Sequence, residues 1–101
     1  MPHPFDPTAA IFSVGQVAEM LGVQSAFVRR LDTEHVVEPA RSAGGQRRYS
    51  QMEIERVEQV AAMADEGHTL ISIRRILALE TELASLRSEI EDLQAQLDER
   101  H

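Results

Sequence analysis

Ile76, Leu79, Leu83, Leu86, Ile90, Leu93 and Leu97 are separated by alternating steps of 3 and 4 residues. This is the a/d repeat of a coiled coil, because only a helix wound at about 3.5 residues per turn sets all of them on one line. At ~1.5 Å per residue the stripe runs about 32 Å. One helix cannot hide it. Either the stripe packs back on its own domain or a second chain covers it. The chain has 101 residues, 43% of them hydrophobic, so the domain ahead of the stripe has little apolar surface to spare. Domains of this size are marginal alone and gain from association. A homodimer through a coiled-coil helix over residues 76–99 is therefore expected.

The chain ahead of the stripe reads as short helices around a hairpin. Residues 1–10, "MPHPFDPTAA", are proline-rich and aperiodic and predict a disordered leader. "SVGQ" from Ser13 is a capping box that opens a helix through Val17, Ala18 and Leu21, and Gly22 ends it. A second helix starts at Ser25, with Phe27, Val28 and Leu31 inward. Val36 and Val37 lead into a hairpin with Gly44-Gly45 at its tip, and Arg48-Tyr49 leads out. "SQME" from Ser50 caps a third helix with Ile54, Val57, Ala61 and Ala64 inward. Thr69 caps a fourth through Leu70, Ile73, Ile76 and Leu77.

Residues 14–33 match a helix-turn-helix. Ala18 is small where two helices cross, Gly22 makes the turn, and Val17, Leu21, Val23, Val28 and Leu31 supply the apolar contacts. A plain helical hairpin would share some of these features. The outward face of the second helix would carry Gln24, Ala26, Arg29, Arg30 and Thr33. One of the two arginines could read a guanine edge and the other a phosphate, or both could pair with Asp32 or Glu34. A hairpin following such a unit reads as a wing.

The charge is distributed in the same sense. The chain holds 10 basic residues, all arginine, against 17 acidic ones, a net charge of −7. Yet Arg29, Arg30, Arg41, Arg47 and Arg48 face only Asp32, Glu34 and Glu38 within residues 24–48. Screening confines exposed charge to roughly 8–10 Å, so an acidic chain can still present one basic face. In the wing, Gly44 and Gly45 permit close approach to a phosphate backbone, and Arg41, Arg47 and Arg48 can neutralise it. The Tyr49 hydroxyl could donate to a phosphate, or the ring could anchor the hairpin in the core. Candidate DNA contacts are thus Ser25, Arg29, Arg30, Arg41, Gly44, Gly45, Arg47, Arg48 and Tyr49.

Other chemistries find no support. There is no cysteine, and the four histidines show no ligand spacing, so neither a metal site nor another cofactor is expected. No nucleophile–base pattern or phosphate loop exists, so no catalytic residue is named. No apolar run approaches the ~20 residues of a membrane span, and nothing resembles a signal peptide. A cytoplasmic, nucleoid-associated protein is expected.

"SVGQVAEMLGV", "VRRLDTEHVVEPARSAGGQRRYS", "IERVEQV" and "GHTLISIRRIL" together resemble the MerR family of bacterial transcription regulators, and within it the heat-shock repressor (HspR) type. The resemblance covers residues 11–79 and continues into the stripe. It implies a mainly α fold: a winged helix-turn-helix domain with a short β-hairpin wing and a C-terminal coiled-coil dimerisation helix. It also implies that Arg29 is the DNA-contacting arginine of the second helix, and that Arg47, Arg48 and Tyr49 close the wing. Two positions depart from the family pattern, Leu31 where an aromatic is usual and His35 where glycine is usual. Family likeness implies an antiparallel coiled coil, whereas charge leans parallel, since Glu82 would face Arg87 of the other chain. The expected function is sequence-specific regulation of transcription on double-stranded DNA, without an effector-binding domain. No residues remain for a pocket of even ~300 Å³, so control by a regulatory protein partner or by abundance is expected. An architectural protein polymerising on direct repeats and a coiled-coil adaptor remain the alternatives.

Overall fold

In the computed structural model, which describes residues 6–100, Ser13, Ser50 and Thr69 cap three helix starts with their side chains, while the helix starting at Ser25 has no side-chain cap. Ser13 Oγ accepts from the Gln16 N–H at 3.2 Å while Gln16 Oε1 accepts from the Ser13 N–H at 2.8 Å. This capping box opens α1 (Val14–Leu21). Gly22 closes it in the left-handed region at φ 66, where a Cβ would be strained. α2 (Ser25–Thr33) then crosses α1, with Val17, Ala18, Val28 and Leu31 buried between them.

The exit from α2 differs from expectation. Val36 and Val37 do not lead into the hairpin as strand; both donate their N–H to the Leu31 carbonyl, at 2.7 and 3.2 Å, and so close the helix. His35 makes this possible by adopting φ 60, the left-handed turn that glycine takes at lower cost. Val37 is consequently a core residue. Pairing begins only after Pro39, with β1 (Ala40–Arg41) antiparallel to β2 (Arg47–Arg48) in the register Arg41 to Arg47. At the tip the Gly45 N–H donates to the Ser42 carbonyl at 2.9 Å, and Gly45, not Gly44, takes the positive φ of 82.

The chain before α1 is tied down where it is described. Residues 1–5 of the expected leader lie outside the described residues. Asp6–Ala10 form a turn rather than a free leader: Thr8 donates to Asp6 Oδ1 at 2.8 Å, and Ala9 is buried. The Pro7 carbonyl accepts from the Met52 N–H at 3.1 Å. Phe12 and Tyr49 exchange backbone hydrogen bonds of 3.0 and 2.7 Å, adding a bridge beside the wing. Proline content hid this, because the partners that hold the segment lie far along the chain.

Ser50 and Glu53 form the second capping box, which opens α3 (Gln51–Asp65). Ile54, Val57 and Val60 bury their side chains, while Ala61 and Ala64 sit half-buried at the edge. α4 (Leu70–Glu99), capped by Thr69, is a single helix of 30 residues, or ~45 Å. Its first turns carry Ile73 and Leu77 into the core with Tyr49, Leu31 and Val57. The rest of it leaves the domain.

Candidate nucleic-acid interface

Burial of Val28 and Leu31 turns the opposite side of α2 outward, so Gln24, Ala26, Arg29, Arg30 and Thr33 are all exposed. The two arginines diverge, as neighbours on a helix must. Arg30 Nε lies 3.6 Å from Glu34 Oε1. Arg29 has no ion-pair partner among the described residues and leans toward the wing.

The wing is fixed to α2 by one carboxylate. Asp32 Oδ2 accepts from Arg47 Nε at 2.7 Å and from Arg41 Nη2 at 2.8 Å. The Asp32 side chain is only 12% exposed, so water screens these bonds poorly. Arg41 Nη1 also donates to the Gly45 carbonyl at 3.3 Å, which ties the wing tip to the same cluster. Arg48 Nη2 donates to Gln46 Oε1 at 3.0 Å. Arg47 uses its Nε edge for Asp32, and its terminal nitrogens make no hydrogen bond among the described residues.

Arg29 from α2, Arg41 from β1, and Arg47 and Arg48 from β2 line a cleft of about 300 Å³. Its opposite wall is Ser13, Val14 and Gly15 at the N-terminus of α1, where no acidic residue occupies the first turn. A helix N-terminus carries partial positive charge, so both walls favour an anion such as a phosphodiester. Sequence reasoning found the four arginines but missed Ser13–Gly15 and Asp32. The partners of Asp32 lie 9 and 15 residues away, a separation no local pattern encodes.

Other expected contacts fall elsewhere. Ser25 is half-buried at the start of α2, and Ser25, Arg30 and the exposed Gly44 lie outside this cleft. Tyr49 is a correction: at 0% exposure its hydroxyl cannot meet a phosphate. The Phe12 bridge and α3 draw the ring into the core. The hydroxyl has no hydrogen-bond partner among the described residues. Burial, and then the charge of Asp32, pushes its pKa up to about 12.

The stripe on α4 behaves differently from the core. Ile76 is half-buried, but Leu79, Leu83, Leu86, Ile90, Leu93 and Leu97 are each 47–54% exposed. At the base of α4, Arg74 Nη1 donates to the Glu34 carbonyl at 3.1 Å and so ties the long helix to the end of α2. Ile71, Arg74, Arg75 and Ala78 line a surface hollow of about 470 Å³, and Phe27 faces Ala61 and Ala64 across one of about 280 Å³. Both are open depressions on the surface rather than enclosed cavities. No group of His, Asp or Glu among the described residues could hold a metal ion, and no described helix is long and apolar enough to cross a membrane.

A family model described as "MerR HTH family regulatory protein" matches residues 12–80. The putative heat shock protein HspR of Streptomyces coelicolor is 34% identical over 98 residues, covering 96% of this chain and 65% of the relative. The chain thus spans just under two thirds of that relative's length. Two crystal structures share the fold. A MerR-family transcriptional regulator from Bacillus cereus aligns with TM-score 0.61 and 20% identity over 86% of this chain and 69% of that one. HiNmlR, a MerR family regulator lacking the sensor domain and bound to promoter DNA, aligns with TM-score 0.59 and 18% identity over 86% and 78%.

Proposed function

The chain belongs to the MerR family of helix-turn-helix regulatory proteins, and from that premise we propose that it is a sequence-specific DNA-binding regulator of transcription acting as a homodimer. The observation that carries this reading is the cleft of four arginines between α2, the wing and the start of α1. α2 enters the major groove with Arg29 toward a base edge, while Arg41, Arg47 and Arg48 hold phosphates of the adjoining backbone. The reading is supported by HiNmlR, a structural neighbour bound to promoter DNA. The place of action is the nucleoid, in the cytoplasm. No catalytic role is proposed.

The exposed leucine stripe of α4 is the dimer seam. The pair is antiparallel. That direction brings the acidic end of one α4, Asp98 and Glu99, toward Arg74 and Arg75 near the base of the other. It sets two DNA-binding heads apart so that they reach half-sites about 34 Å, or a multiple, from each other. Control comes from a protein partner or from abundance. Gel shifts with genomic fragments at two salt concentrations test the reading: a few fragments should stay bound at the higher salt. Equal loss of all fragments would reject sequence-specific regulation. A footprint that grows without limit along the DNA would favour an architectural polymer instead.

A further inference from the structure

Asp32 is an acid placed inside a phosphate-binding face, and that placement needs a reason. Its Oδ2 accepts from the Nε–H of Arg47 and from one terminal nitrogen of Arg41, at 2.7 and 2.8 Å. Three consequences follow from this geometry. One carboxylate cancels one of two cations, so the wing offers less free positive charge than its arginine content suggests. The Arg47 side chain, only 22% exposed, is held by its Nε edge, which aims its terminal nitrogens in one direction. And a phosphate approaching either guanidinium must share it with a carboxylate already in place.

These effects act unequally on two kinds of complex. Non-specific binding is driven by counterion release and rewards every cation free to follow the backbone. Specific binding rewards side chains already fixed where the contact forms, because less ordering entropy is lost. We infer that Asp32 is a specificity-determining positioning residue: by clamping Arg41 and Arg47 it suppresses binding to arbitrary DNA and fixes the wing in the register that the preferred sequence requires. The inference rests on the DNA-binding reading above.

The test uses the full chain and two probes: the duplex that wild type enriches most from a random-sequence pool, and a shuffled duplex of equal composition. Asp32→Asn keeps the shape and removes the charge; Asp32→Glu restores the charge. Asp32→Asn should bind the shuffled duplex at least about threefold more tightly and steepen its salt slope by about one per protomer. Its preference for the enriched duplex should fall by about tenfold, within the range one mismatched base pair produces. Asp32→Glu should recover part of that preference. A merely structural role would lower both affinities together and leave the salt slope unchanged, and that result overturns the inference. Should Asp32→Asn not fold, nitrogen NMR of wild type decides. The Arg47 Nε proton should exchange slowly in the enriched complex and faster in the shuffled one; equal exchange in both overturns the inference. If wild type enriches no sequence at all, the regulator reading itself fails, which is a separate outcome.

Discussion

Within α4 the same residue types meet two fates. Ile73 and Leu77 are 0% and 5% exposed in the head, whereas the stripe from Leu79 to Leu97 is half exposed along the part of the helix that leaves the head. In the head, apolar positions converge from α1, α2, α3 and α4 on one core. Along the tail they form a single file. A single file can form a helix but cannot bury itself, so the head contains the partners of its core within one chain, and in the dimer proposed above the tail takes its partners from another. Stability of the head should thus be independent of protein concentration, and stability of the tail should not.

The largest expected effect breaks the tail alone. Leu86→Asp puts a charge in the middle of the seam and should give monomers by sedimentation with the head still folded by circular dichroism. Loss of two-site attachment should weaken DNA binding by about 10²–10⁴-fold. A monomer that binds as tightly as wild type would remove the dimer from the account. The matching change in the head is Leu31→Ala, which deletes a fully buried side chain. It should cost ~2–5 kcal/mol in urea unfolding at any protein concentration. Leu93→Ala in the tail should instead shift the unfolding midpoint only as far as it weakens the dimer, and more at low concentration.

Smaller effects sharpen the division within the head. Arg29→Ala should cost ~1–3 kcal/mol on the preferred sequence and little on others. Arg47→Ala should weaken binding to all sequences and flatten the salt slope by about one. Proportional losses in both mutants would erase that division of labour. The smallest effect concerns Tyr49, whose buried hydroxyl lacks a partner. Tyr49→Phe should leave DNA affinity unchanged and raise stability by up to ~1 kcal/mol, since an unsatisfied buried polar group is a cost. Because burial raises the Tyr49 pKa from 10.0 to about 12, the unfolded chain ionises first. Wild type should therefore lose stability as pH climbs from 10 toward 12, and Tyr49→Phe should lose less over that range.

The elements readable in advance share one physical property, which is that their causes lie within about one helical turn. Ser13 with Gln16, Ser50 with Glu53, and Thr69 with Ser72 satisfy helix-end donors three residues apart. Gly22 marks a turn that strains other residues, and His35 had to take the same backbone shape because the helix ends there too. The heptad stripe is also local, a period imposed by the helix itself.

What the sequence by itself determined was therefore the helices, the caps that open α1, α3 and α4, the turn between α1 and α2, and the existence of an apolar stripe that its own helix cannot cover. What only the tertiary structure decided was which side chains meet. Tyr49 could face a phosphate or the core, and packing against Phe12 and α3 put it in the core. Val36 and Val37 look like strand residues, but the Leu31 carbonyl took their N–H groups. Asp32 could pair with Arg29 or Arg30 on its own helix, yet it holds Arg41 and Arg47 across the wing. Arg74 reaches the Glu34 carbonyl 40 residues away. Each of these is a choice among partners of equal chemistry, and only proximity in the folded chain, which local periodicity does not specify, selects between them.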